Sequence, residues 1–119
     1  TILKESDFIT LNCDLNKSSF HLLSNEEFSM MVRRPYIINA ARGPLINESA
    51  LVEALKSNKI KGAALDVFEE EPLPKTSELR TLNNVLLAPH NSNSSPSAWE
   101  KVHESTLNNL LTGLGVRNE

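Results

Sequence analysis

An α/β fold built on a parallel sheet is predicted by three observations. Short apolar runs recur at Tyr36-Ile37-Ile38, Ala63-Ala64-Leu65 and Val85-Leu86-Leu87-Ala88, and an amphipathic segment, Asn47 to Lys59, separates the first two. Strand, helix, strand is the grammar of an open parallel sheet. Each run then stops at residues that chemistry uses: Arg42-Gly43, Asp66 with Glu69-Glu70-Glu71, and Pro89-His90. Ligands of such sheets bind outside the carboxyl ends of the strands.

In chain order, Thr1 to Asp7 carries no start signal, as in a segment cut from something longer. Phe8-Ile9-Thr10-Leu11-Asn12-Cys13 is apolar and β-branched enough for a buried strand. Asp14 to Ser19 is a polar loop of turn formers. Ser24 followed by Glu27 has the form of a capping box and starts a short helix through Phe28 and Met31. Pro35 blocks its continuation.

The strand from Tyr36 turns at Gly43-Pro44. Asn47 can cap the next helix, Glu48 suits its positive end, and Ala50, Leu51, Ala54 and Leu55 form its inward face. Gly62 opens the following strand. Pro72 and Pro74 stiffen a long surface loop, and Val85 begins the last strand. Ser95-Pro96 reads as an N-cap and first helical residue, and Leu107, Leu110, Leu111 and Leu114 follow at helical spacing. Runs such as Ile37-Ile38 and Leu86-Leu87 do not alternate, as expected of strands covered on both faces. The expectation is about four parallel strands with flanking helices, half of a larger sheet.

Composition sets the bounds. A chain of 119 residues fits one domain, and 39% hydrophobic with 23% charged residues is ordinary for a globular protein. A formal charge of −3 with no basic stripe argues against a nucleic-acid partner. No apolar run approaches a membrane span and no signal peptide opens the chain, so a cytoplasmic location is expected. The single cysteine, Cys13, excludes an internal disulfide and reads as a small apolar strand-end residue. His21 and His103 lack a second ligand at metal spacing, so no structural zinc site is expected. Trp99 reads as packing, and Arg33-Arg34 as solvated.

The strand ends suit one kind of chemistry. A small keto acid reduced by hydride transfer needs a planar cation for its carboxylate, and Arg42 is available. Its carbonyl oxygen needs a proton from a group that titrates near neutrality, and His90 is the natural donor. A carboxylate beside that imidazole would orient it; Asp66, Glu69, Glu70 and Glu71 all qualify. Asp66 could instead accept a hydrogen bond from a cofactor amide. Taken singly, each has a plainer reading: a solvated arginine, an exposed acidic turn, a surface histidine. Only their shared position at strand ends favours the functional one.

With these residues in place, the chain resembles the D-isomer-specific 2-hydroxyacid dehydrogenases, over about Leu3 to Pro96. Three segments carry the resemblance: Asn39-Ala40-Ala41-Arg42-Gly43, then Ala63-Ala64-Leu65-Asp66-Val67-Phe68-Glu69-Glu70-Glu71-Pro72, then Pro89-His90. It implies a Rossmann-like sheet of which this chain holds the second half. Residues 1–95 would be the C-terminal half of the NAD(P)-binding domain, and 96–119 the helix that follows it. It also implies that Arg42 binds substrate, that His90 is the acid/base and that Glu71 is its carboxylate partner. Asp66 would hold the nicotinamide carboxamide, and backbone around Asn12, Cys13 and Ala40, Ala41 and Arg42 would line the cofactor groove beside His90. The cofactor is NAD or NADP, with NAD favoured.

Two departures stand out. Asn91-Ser92-Asn93-Ser94-Ser95 replaces the small residues that usually follow the family's histidine, and no G-x-G-x-x-G precedes the strands. The implied activity is that of an NAD(P)-dependent oxidoreductase acting on a small 2-keto or 2-hydroxy acid, possible as a homodimer in the full-length protein. The fragment alone is expected to be inactive, and its Phe8 strand an exposed, association-prone edge. The alternative is a dinucleotide-sensing, corepressor-like binding module without turnover.

Overall fold

The computed structural model describes residues 2–92 and 94–115. Thr1 of the opening segment, Asn93 of the run after His90 and the last four residues of the terminal segment lie outside them. Four strands, β1 (Phe8–Leu11), β2 (Tyr36–Asn39), β3 (Gly62–Leu65) and β4 (Val85–Leu87), form one parallel sheet in the order β1-β2-β3-β4. Helices α1 (Ile2–Glu5), α2 (Asn25–Ser29), α3 (Glu48–Lys56) and α4 (Pro96–Gly113) accompany it. This is the Rossmann-like α/β architecture that the strand–helix–strand pattern predicts.

Local chemistry explains most boundaries. The Ser24 N–H donates to the Glu27 carboxylate at 2.9 Å, the returning half of a capping box, and starts α2. The Asn47 side chain accepts the Ala50 N–H at 3.0 Å and starts α3. The inward residues of α3, Ala50, Leu51, Ala54 and Leu55, are all buried, as their spacing predicts. The helix ends at Lys56 rather than Lys59 because Asn58 adopts the left-handed conformation (φ 56°), which asparagine tolerates. The turn delivers Ile60 to the core, fully buried. Ser95 accepts the Ala98 N–H at 3.2 Å and Pro96 is the first residue of α4. The opening segment, which shows no start signal, nonetheless forms the single turn of α1.

The sheet is covered on one face, not two. Ile9, Leu11, Ile37, Ala63 and Leu65 point inward against Phe28 and Met31 from the α2 region and Leu51 and Leu55 of α3. Burying a side chain such as Ile37 contributes about 1.5–3 kcal/mol. The opposite face carries Phe8, Tyr36 and Leu86, and these are exposed. The reason is topological. Each strand adds to the same side of its predecessor, and crossovers are right-handed, so successive crossovers fall on one face. Non-alternating runs therefore did not mean two covered faces here. The burial of β1 alternates, with Phe8 and Thr10 outward.

Three other expectations change. β1 stops at Leu11, and Cys13 lies beyond it, exposed, rather than as an apolar strand-end residue. Trp99 does not pack into a core; it is half exposed and tilts against His103, and α4 buries none of its residues. The proline-bearing loop before β4 is not wholly superficial. It includes a 3-10 turn at Glu78–Thr81, and Leu73 and Leu79 are buried under it. No helix among the described residues is long and apolar enough to cross a membrane.

Candidate functional site

Parallel register levels the four strand ends. Leu11 pairs with Asn39, Asn39 with Leu65, and Leu65 with Leu87. The residues that follow, Asn12-Cys13, Ala40-Ala41-Arg42, Asp66 and Ala88-Pro89-His90, therefore leave the sheet along one edge. The fold thus brings every predicted strand-end residue to the same side of the molecule.

The loop after β2 is held by a buried polar side chain. Asn39, 1% exposed, donates from Nδ2 to the Arg42 carbonyl at 2.9 Å and accepts the Ala41 N–H on Oδ1 at 3.1 Å. Ala40 and Arg42 are exposed as a result. Among the described residues the Arg42 guanidinium is outside any carboxylate pair; one of its nitrogens, Nη1, donates to the Ala41 carbonyl at 2.7 Å. Immediately afterwards the chain passes so close to Phe68 that a β-carbon on Gly43 would lie 1.8 Å from the Phe68 carbonyl oxygen. Glycine is required there by the close approach of two backbones. That contact fastens the Arg42 loop to the loop carrying Glu71.

Of the carboxylates near the end of β3, only Glu71 meets His90. Its Oε2 lies 2.7 Å from His90 Nδ1, and its Oε1 accepts the Phe68 N–H at 3.0 Å. The hydrogen bond from His90, then that from Phe68, hold the Glu71 carboxyl below its ordinary range against the opposing effects of burial and Asp66. Glu69 turns the other way and pairs with His21, whose ring also meets Asn47 Nδ2 at 3.3 Å. His21 does lie in a loop, but it joins a network in which Glu69 and Glu48 accept each other's backbone N–H groups at 3.2 and 3.3 Å. Burial, with Glu69 alongside, pushes the Glu48 carboxyl up.

Asp66 is nearly buried, at 6% exposed. Its Oδ1 accepts the Asn91 N–H at 2.9 Å and its Oδ2 the Ser92 N–H at 2.8 Å. Burial works to raise this carboxyl, but the Ser92 and Asn91 donors and nearby His90 outweigh it, and the group lies below its ordinary range. His90 itself is exposed and left-handed, with φ 54°. Beside the Glu71–His90 pair opens a cavity of about 570 Å³, bounded by Phe68, Leu73, Leu87 and Ala88 and by Arg80. The Arg80 guanidinium is anchored on the Leu73 and Pro74 carbonyls, at 2.6 and 2.9 Å.

Sequence reasoning missed four contributors. Asn39 could have been noticed as the one polar residue closing an apolar run. The Phe68 N–H and the Asn91 and Ser92 N–H groups leave no signal in side-chain identity. In chemical terms, the edge offers a cation outside any described ion pair and an imidazole held at Nδ1, with Nε2 in no described bond. That donor set suits a carboxylate and a carbonyl.

Comparison with known proteins gives the same direction. Residues 1–92 match the family described as D-isomer specific 2-hydroxyacid dehydrogenase, NAD binding domain. A Staphylococcus aureus (strain MRSA252) protein with the provisional name 2-hydroxyacid dehydrogenase is 46% identical over 114 residues, 96% of this chain and 36% of that protein. Among solved structures, the TT0316 protein from Thermus thermophilus superposes with a TM-score of 0.87 at 37% identity, covering 98% of this chain and 37% of that one. A D-isomer specific 2-hydroxyacid dehydrogenase from Xanthobacter autotrophicus Py2, solved in complex with NADPH and MES, gives a TM-score of 0.71 at 41% identity over 74% of this chain and 29% of that one. The chain thus spans about a third of the length of the relatives it matches.

Proposed function

The chain belongs to the D-isomer specific 2-hydroxyacid dehydrogenase family through its NAD-binding domain, and from that premise we propose that its strand-end site serves NAD(P)-dependent interconversion of a 2-keto acid and a D-2-hydroxy acid. The observation that carries the reading is the Glu71–His90 pair at 2.7 Å on the same sheet edge as the Arg42 guanidinium, which no described carboxylate engages.

In this reading Arg42 binds the substrate carboxylate through the guanidinium donors not committed to Ala41, in the planar geometry that arginine suits. His90, fixed at Nδ1 by Glu71, carries its exchangeable proton at Nε2 and gives it to the carbonyl oxygen as the hydroxyl forms. Glu71 accepts the Nδ1 proton, which orients the ring and leaves Nε2 as the nitrogen that exchanges a proton with the substrate. A reduced nicotinamide, when bound, would supply the hydride. Asn12, Cys13 and the backbone of Ala40 to Arg42 would border the cofactor. Asp66 is the residue that would accept a hydrogen bond from a cofactor amide. NAD is favoured over NADP, although a relative binds NADPH.

The test is to graft this segment into the Staphylococcus aureus relative in place of its counterpart. NADH and NADPH oxidation would be followed on glyoxylate, hydroxypyruvate, pyruvate and bulkier 2-keto acids. Turnover that collapses in Arg42→Ala and His90→Asn is the expected result. Dinucleotide binding with no turnover on any keto acid would overturn it in favour of a dinucleotide-sensing module.

A further inference from the structure

The geometry points to Asp66 as the positioning residue for His90: its two carboxylate oxygens clamp the backbone N–H groups of the two residues that follow the histidine and so aim the imidazole at Glu71. His90 stands at a left-handed backbone position (φ 54°), on an exposed loop, beyond the end of a three-residue strand. That conformation is uncommon for a non-glycine residue, though histidine enters it more readily than most. The Ala88 N–H still bonds to the Leu65 carbonyl at 2.9 Å, so the sheet ladder fixes the chain only up to that point. Beyond it, the described bonds from 91 and 92 to the rest of the fold are those to Asp66, at 2.9 and 2.8 Å. Asp66 is itself anchored, since its own N–H donates to the Asn39 carbonyl at 2.9 Å. The clamp therefore runs from β2 through Asp66 to both residues after His90, with hydrogen bonds to an ionised acceptor, the stronger kind.

The inference deepens the proposed function, on which the catalytic meaning of His90 rests, but its test reads geometry and not turnover. Glu71 reports whether His90 is in place, because the His90 hydrogen bond is the largest influence holding its carboxyl down. Asp66 acts on Glu71 in the opposite sense as a like charge. The other charged groups at the pair are His90 and, across the adjoining cavity, Arg80. The two roles of Asp66 thus predict opposite signs. If Asp66 were only a neighbouring charge, Asp66→Asn would move the Glu71 midpoint further down. As a clamp, its loss releases His90 and moves the Glu71 midpoint up, toward the ordinary glutamate value of about 4.3. An asparagine keeps one acceptor but turns a donor toward the second N–H.

The experiment is NMR on the grafted enzyme labelled at glutamate side-chain carboxyl carbons, with the Glu71 signal followed through an acid titration with and without Asp66→Asn. The methyl resonances of Ile37 and Leu51 report that the core is intact. An upward shift of the Glu71 midpoint supports the clamp; an unchanged or lower midpoint overturns it. Should Asp66→Asn fail to fold, the wild type decides. The amide protons of Asn91 and Ser92 must then move together at the Asp66 midpoint, below the ordinary aspartate range. Amides that ignore that titration overturn the clamp. Absence of turnover in the grafted enzyme leaves these shifts untouched, so the two readings fail separately.

Discussion

Gly43 and Phe68 meet backbone to backbone, with no room between them for a side chain of any size. The contact joins the loop that ends in Arg42 to the loop that ends in Glu71, so the spacing of the cation from the Glu71–His90 pair depends on it. Gly43→Ala would force apart two backbones rather than displace a flexible side chain. We expect a cost at or above the upper end of the usual 1–3 kcal/mol for overpacking, at about 3 kcal/mol, and a fall in Tm of about 10 °C or more. Gly113→Ala is the contrast. Nothing lies within 4 Å of its missing β-carbon, and alanine in a helix is worth about 0.5–1 kcal/mol over glycine. Thermal unfolding of the two variants checks both signs.

In the grafted enzyme, His90→Asn should lower kcat by about 10²–10⁴-fold, the usual contribution of a general acid. Arg42→Lys should act mainly on KM for the keto acid, since a single ammonium cannot reproduce a planar two-donor contact. Steady-state kinetics on one keto acid separates them. Equal loss of kcat alone in both variants would contradict the assigned division of roles.

Acid should act on this fold in two stages. Asp66 and Glu71 have folded pKa values below their unfolded ones. Their stabilisation is complete above the unfolded value of about 4 and is lost as the pH falls through the folded values. Glu48 runs the other way. Its folded pKa is raised by burial, so its ionisation costs stability above that value and the cost disappears as the pH falls toward about 4.3. The contribution of these three groups should thus rise slightly from neutrality toward about pH 4.5 and then drop. Urea midpoints measured between about pH 7 and pH 3 trace the curve, and Glu48→Gln should flatten its rising part.

Phe8 and Leu86, 66% and 69% exposed, stand with Tyr36 on the uncovered face of the sheet. An apolar face beside an edge strand invites association. The 119-residue chain should sediment as more than a monomer at micromolar concentration, and the double substitution Phe8→Thr with Leu86→Thr should reduce that association. A monomeric, cooperatively unfolding wild type in dilute buffer would contradict the expectation.

Much of the fold was legible because its signals are local. The Ser24–Glu27 box, the Asn47 cap, the inward spacing of Ala50, Leu51, Ala54 and Leu55, and the start of β3 at Gly62 each act within a few residues. The covering of the sheet was not legible, because apolar runs report that a strand can be buried, not where the crossover helices go. Right-handed crossovers in one winding direction left Phe8, Tyr36 and Leu86 bare. The end of α3 moved for an equally local reason, the left-handed turn at Asn58, that helical spacing alone did not weigh. Among Asp66, Glu69, Glu70 and Glu71, composition offered no choice. Resemblance pointed to Glu71, and the structure places its carboxylate on His90 while Glu69 pairs with His21.

By itself, the sequence determined the order of strands and helices and the residue types at each strand end. Those follow from periodicity, capping chemistry and the points where apolar runs stop. Only the tertiary structure decided which groups meet: Asn39 with the Arg42 loop, Gly43 with Phe68, Glu71 with His90, and Asp66 with the amides of Asn91 and Ser92. These contacts join segments whose spacing is set by parallel register and by backbone N–H groups, and a backbone N–H is the same whatever side chain the sequence writes beside it.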